Sequence, residues 1–178
     1  MYALSCMASA LLILTGCSSM QTNEDKLGYK AETRKIEPAK EEVNEISSNL
    51  LDWMGIKGKT TEAGAGVNVC EAVDPGLKEY YTIHHPWSIY DLHKGTFEEA
   101  MQNIREQLPK NGWKITKDGE TNSRARNPEI VAVNAKSNHT ISIEWARERS
   151  GNLKEMIGVD VDSRCYRAPE GTDIYAEQ

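Results

Sequence analysis

The sequence predicts an α+β fold in which two helices cover one face of an antiparallel sheet, a two-layer sandwich. Three observations carry that expectation. A helical stripe of apolar residues runs from Val43 to Met54, a capping box opens a second amphipathic segment at Thr96, and four alternating apolar and polar runs follow from Trp113 onward.

Before the first helix comes an address. The first 16 residues contain no charge, and Ala3 to Leu14 is largely apolar with small residues mixed in, a stretch too short to span a bilayer. It runs into Leu14-Thr15-Gly16-Cys17, which resembles the lipobox of bacterial lipoproteins. That resemblance implies cleavage after Gly16 and a diacylglyceryl thioether on Cys17. No Lys or Arg precedes the apolar run, although a secretory signal normally begins with a basic region, and this points to a translation start upstream of Met1. Two acyl chains anchor a protein stably where one holds it only marginally.

Residues 17–37 read as a lipidated flexible tether, polar and charged, with Leu27, Tyr29 and Ile36 as its sizeable apolar residues. A coil of about 20 residues would hold the domain on the order of 25 Å from the membrane. A single α+β domain is expected over 38–171 and a disordered tail over 172–178.

Pro38 suits a first helical turn, with Glu41 and Glu42 following at the positive end of the helix dipole. Val43, Ile46, Leu50, Trp53 and Met54 then form one stripe, and Gly55 is the expected stop. Residues 64–73 read as a strand that delivers Cys70. Residues 79–84 read as another, with the remainder to Leu92 an ordered loop because Pro86 cannot donate to a central ladder. In Thr96-Phe97-Glu98-Glu99 hydroxyl and carboxylate can satisfy exposed backbone amides reciprocally, so a helix starts there. Phe97, Met101, Ile104 and Leu108 are its buried stripe, ended by Pro109 and Asn111-Gly112. The four runs are Trp113 with Ile115; Val131 with Val133; Ile141, Ile143 and Trp145; and Ile157, Val159 and Val161. Glu144, opposite in parity to Ile143 and Trp145, is expected on the wet face.

The formal net charge of −6 argues against a nucleic-acid partner and against a polybasic grip on anionic lipid. Lipid on Cys17 would be the membrane contact. Of the four cysteines, Cys6 leaves with the signal and Cys17 is lipidated, so Cys70 and Cys165 remain as one pair in an oxidising compartment. A disulfide between them is expected, and Cys165 shares parity with the inward-facing Val159 and Val161.

One segment concentrates candidate chemistry. Tyr80 to Tyr90 holds four of the chain's twelve aromatics and two of its four histidines, so His84, His85, Trp87 and Tyr90 are the candidate ligand contacts. The bland alternative is a loop whose Trp87 and Tyr90 plug one end of the core. Adjacent residues in extended chain point to opposite faces, so His84 and His85 cannot readily share a metal ion, and no zinc spacing appears. No catalytic residue, cofactor site or metal site is assigned.

The motifs His85-Pro86-Trp87-Ser88-Ile89-Tyr90, Leu108-Pro109-Lys110-Asn111-Gly112-Trp113-Lys114-Ile115 and Cys165-Tyr166-Arg167-Ala168-Pro169-Glu170-Gly171 give residues 40–171 a resemblance to small membrane lipoproteins of actinomycetes such as the streptomycetes. The resemblance implies a cell-surface lipoprotein, and it transfers no catalytic residue. The functional expectation is therefore a lipid-anchored extracytoplasmic module, on the cell membrane, that binds an envelope protein or cell-wall ligand without chemistry. An extracytoplasmic enzyme built around His84 or His85 is the competing expectation.

Overall fold

The computed structural model describes residues 22–61, 63–147 and 154–177. Its elements in chain order are α1 (Asn23–Leu27), α2 (Ile36–Met54), β1 (Lys57–Thr60), β2 (Gly66–Val69), β3 (Tyr80–Lys94), α3 (Phe97–Lys110), β4 (Trp113–Glu120), β5 (Pro128–Asn134), β6 (Thr140–Ala146), β7 (Met156–Asp162) and β8 (Tyr166–Arg167), followed by a short 3-10 turn, Ile174–Glu177. Eight strands form one open sheet, in the order β1-β3-β7-β6-β5-β4, with β2 and β8 also pairing with β3. Every one of these strand pairs is antiparallel. Helices α2 and α3 pack on one face, so the structure is the two-layer α+β sandwich.

The helices are where the local chemistry puts them. Gly55 ends α2 in the left-handed region at φ 69°, which glycine enters without steric cost. Thr96 caps α3 through its hydroxyl on Glu99 N, while the Glu99 carboxylate takes the Thr96 amide at 2.8 Å. Val43, Leu50 and Met54 of α2 and Met101, Ile104 and Leu108 of α3 are buried against Ile83, Ile89, Ile141, Ile143, Ile157, Val159 and Val161 of the sheet.

Strand β3 is the largest departure from the sequence reading. It continues through Pro86 to Lys94 where a loop is expected after residue 84. On one edge it carries β7 and β8; on the other, β2 pairs as far as His84 and β1 begins only at Ile89. Amides of alternating parity point to opposite edges. Ile83 N takes Ser163 Oγ on the β7 side, and Ser88 N takes Thr61 Oγ1 on the β1 side. Pro86 shares parity with Ser88, so its missing N–H faces the gap between β2 and β1, where no strand offers a carbonyl. A proline is tolerated at a central position because that position has nothing to donate to.

Strand β5 also differs. Ile130 and Ala132 face the core, opposite Ile143 and Ile141, while Val131 and Val133 lie on the open face. The run Ile130-Val131-Ala132-Val133 is apolar at both parities, so its pattern alone does not choose a face.

The termini are tied down more firmly than composition suggests. The residues expected to be a free tether to 37 include α1, and the chain docks from Tyr29 onward: Tyr29 Oη accepts from Cys165 N at 2.8 Å, and Arg34 N donates to Arg167 O at 2.9 Å. The expected disordered tail buries Ile174 in the core and sends Tyr175 Oη to Gly76 O at 2.8 Å. The N-terminal attachment is a run of backbone and side-chain contacts, with Arg167 N donating to Glu32 O and Arg164 to Lys30 O as well, which apolar composition does not register. The signal segment and Cys17 lie outside the described residues.

Candidate functional site

Between β1 and β2 the chain leaves the sheet at Thr60 and returns at Gly66, so the β3 edge stands open beside the middle of α2. A cleft of about 220 Å³ occupies that opening. Asn44, Ser47, Ser48 and Leu51 line it from α2, Thr60, Thr61 and Ala63 from the end of β1 and the loop, and His85 and Trp87 from β3. None of these side chains is a carboxylate, ammonium or guanidinium.

The cleft is rich in hydrogen-bonding groups that the protein leaves unused. Ser47 Oγ, His85 Nδ1 and Trp87 Nε1 are buried without a hydrogen-bond partner, and Ser47 and Trp87 are only 5% and 7% exposed. An unsatisfied buried polar group costs about 1–3 kcal/mol, so three around one opening is an expense that core packing does not explain. His85 Nε2 lies 2.6 Å from Ala63 O. A carbonyl only accepts, so Nε2 carries the hydrogen, and Nδ1 of the neutral ring is an acceptor. Trp87 Nε1 can only donate; Ser47 Oγ can do either. Asn44 Oδ1 accepts from Ala65 N at 3.1 Å and holds the rim of the loop.

The four candidate contacts from the sequence therefore divide. His85 and Trp87 meet in the cleft. His84 and Tyr90, of opposite parity on β3, belong to the open face of the sheet. His84 Nδ1 is 2.8 Å from Asp162 Oδ1, its direct neighbour on β7, and Nε2 is 3.6 Å from Asp160 Oδ1. Burial, with Asp162 and Glu144 nearby, raises the Asp160 carboxyl above its ordinary value against the opposing pull of His84. Glu144 is on this open face, its Oε1 taking Asn127 Nδ2 at 2.7 Å. His84, which has carboxylate partners, thus stands away from the cleft, and among the described residues no carboxylate pairs with His85 inside it.

Two features were not foreseen. Ser47 follows Val43 by one turn and precedes Leu50 on the buried stripe of α2; a serine at an apolar position of a helical stripe was the available signal. The second is His139, between β5 and β6, which is fully buried with Nε2 3.8 Å from Glu42 Oε2. Glu42 is held by Arg34 at 2.5 Å, and Tyr166 Oη lies 3.3 Å from the same oxygen. Burial, with the neighbouring acidic side chain, raises the Tyr166 hydroxyl to about 12.

The disulfide closes the same end of the molecule, joining Cys70 to Cys165. With the geometry in place, the comparisons add no relative: no family model, no curated protein and no solved structure matches this chain. Among the described residues no three metal-binding side chains converge, and no helix is long and apolar enough to cross a membrane.

Proposed function

We propose that this protein is a lipid-anchored extracytoplasmic module of the cell envelope that binds a ligand in the cleft between α2 and β3 without transforming it. The observation that carries the binding half is the cleft itself: buried polar atoms without partners in a lining whose described residues include no charged side chain. Hydrolysis and acyl transfer ask for a nucleophile and a base within reach of each other, or a pair of carboxylates. Among the described residues the His84–Asp162 pair is the arrangement near the candidate segment that favours an enzyme, and it stands on the open sheet face on the far side of β3 from the cleft.

Support for the address comes from the lipobox-like Leu14-Thr15-Gly16-Cys17, from the resemblance to actinomycete lipoproteins, and from the disulfide, a bond that persists in oxidising compartments. The net charge of −6 leaves lipid as the means of attachment.

Fractionation of cells that process lipoproteins tests the address. The wild type sediments with membranes and is digested by protease added to spheroplasts, and Cys17→Ala appears in the soluble fraction. A wild type that stays soluble inside the cell contradicts the reading.

A further inference from the structure

We infer that the α2–β3 cleft takes an uncharged hydroxyl- or amide-bearing group, one sugar ring or acetamido unit in size, held by Trp87 Nε1, Ser47 Oγ and His85 Nδ1. This rests on the binding reading above and goes past it to the chemistry of the ligand.

The lining decides the charge. A carboxylate or phosphate ligand needs a cation or a cluster of amides to offset its desolvation, and an ammonium ligand needs a carboxylate or an aromatic face. Among the described residues that line the cleft none carries a charged side chain, and Trp87 offers an edge N–H in place of an open face, being 7% exposed. The available set comprises a donor at Trp87, an acceptor at His85 and a group at Ser47 that serves as both. An amide matches it with one carbonyl and one N–H, and a sugar ring matches it with hydroxyls that donate and accept. Leu51 and Ala63 supply apolar contact for the carbon skeleton.

Size follows from volume. At about 220 Å³ the cleft is below the range of roughly 300–1,000 Å³ typical of drug-sized sites, so it admits one ring or one substituent of a larger molecule. Three broader depressions, of about 570, 590 and 800 Å³, are poorer candidates because several of the polar side chains that line them are already paired. Arg167 pairs with Glu79 at 3.2 Å, Glu99 caps α3, and Asn103 Nδ2 donates to Met54 O at 2.9 Å.

Ser47 distinguishes a binding site from a packing fault. Its hydroxyl is buried without a partner, so alanine removes an unsatisfied group and leaves little void, and Ser47→Ala should keep or raise the melting temperature. The same change should weaken ligand binding about tenfold, the loss expected for one good hydrogen bond.

The test is a titration of the intact protein, purified from membranes and labelled with [15N]tryptophan. Four indole resonances arise from the four tryptophans, and Trp87→Phe assigns the one that matters. Glucose and N-acetylglucosamine are the neutral probes; glucuronate and glucosamine are the charged ones. Fragments of this size bind on the order of millimolar. A saturable shift of the Trp87 indole with a neutral probe, weakened in Ser47→Ala and absent with the charged probes, is the expected result. Equal or stronger shifts with a charged probe overturn the ligand class and leave the cleft as the binding site. No shift with any probe overturns the site as well, leaving ordered water as its occupant, while fractionation still judges the address separately.

Discussion

His139 Nε2 stands 3.8 Å from Glu42 Oε2 in a fully buried position, and that carboxylate is already engaged by Arg34 at 2.5 Å. Burial lowers the His139 pKa below its ordinary value, outweighing the pull of Glu42; Arg34 and Arg164 add to the lowering. In the unfolded chain the ring accepts a proton once pH falls below about 6.5, whereas in the folded protein it resists. The unfolded state then binds more protons, so stability is lost as pH falls through about 6.5 toward the lower folded value. The Ser137 backbone pulls the same way as Glu42, but no hydrogen bond of normal geometry reaches either ring nitrogen, so His139→Phe forfeits little. Melting measured at about pH 7.5 and about pH 5.5 should fall less in the variant than in the wild type. Parallel declines would show that His139 does not titrate on unfolding.

Asp74 organises the approach to β3. Its Oδ2 accepts from Lys78 N at 2.7 Å, Glu79 N at 2.7 Å and Tyr80 N at 2.9 Å, with the residue 9% exposed. Burial pushes the carboxyl upward, but the backbone amides of Glu79, Tyr80, Lys78 and Gly76 together hold it below the usual carboxylate value. Asp74→Ala leaves three amides without their acceptor and should cost about 2 kcal/mol or more, read as a lower urea midpoint at unchanged slope. Asp74→Asn, which keeps an oxygen and gives up the charge, should fall between. An alanine variant that unfolds with the wild type would show that water replaces the carboxylate at little cost.

Cys70 is fully buried and Cys165 nearly so, and their bond spans 95 residues. Neither should react with a thiol dye in the native protein before reduction. Reduction should remove about 2–5 kcal/mol of stability, in line with a long closed loop. Free thiols in the untreated protein would contradict the pairing.

Trp87 serves the core as well as the cleft. Trp87→Ala should cost about 3–5 kcal/mol, which lowers the melting temperature by roughly 2–4 °C for each kcal/mol. His85→Ala, which gives up one bond to Ala63 O at a partly exposed position, should change stability by less than about 1 kcal/mol. A Trp87→Ala shift below about 2 °C would mean that the indole contributes little to packing.

How much of this was legible in the sequence depends on whether a residue acts through a pattern or through a partner. The capping box at Thr96 and the stripes of α2 and α3 repeat a local rule; the structure reproduces the box and buries Val43, Leu50, Met54, Met101, Ile104 and Leu108, with Ile46, Trp53 and Phe97 half-buried beside them. The alternation of Ile141 with Ile143 and of Ile157, Val159 and Val161 likewise places those residues inside. Pro86 misleads because the rule against proline in a central strand presumes a partner on each edge, and the gap between β2 and β1 was not written in the spacing. Residues 130–133 are apolar at both parities, so only the register with β6 assigns their faces. The candidate site was half legible: an aromatic and histidine-rich segment points to β3, and parity separates His84 from His85. The α2 wall required Ser47 to be taken as an exception within its stripe, and His139 becomes meaningful only once β5 and β6 bring it to Glu42.

The intact mass of the protein extracted from membranes tests most directly whether it is a processed, lipid-anchored envelope protein with an oxidised core. The expected mass is that of residues 17–178 plus a diacylglyceryl group, with or without a further acyl chain, less the two hydrogens of the Cys70–Cys165 disulfide, together with a lipidated peptide beginning at Cys17. A mass that retains residues 1–16 without lipid would contradict it.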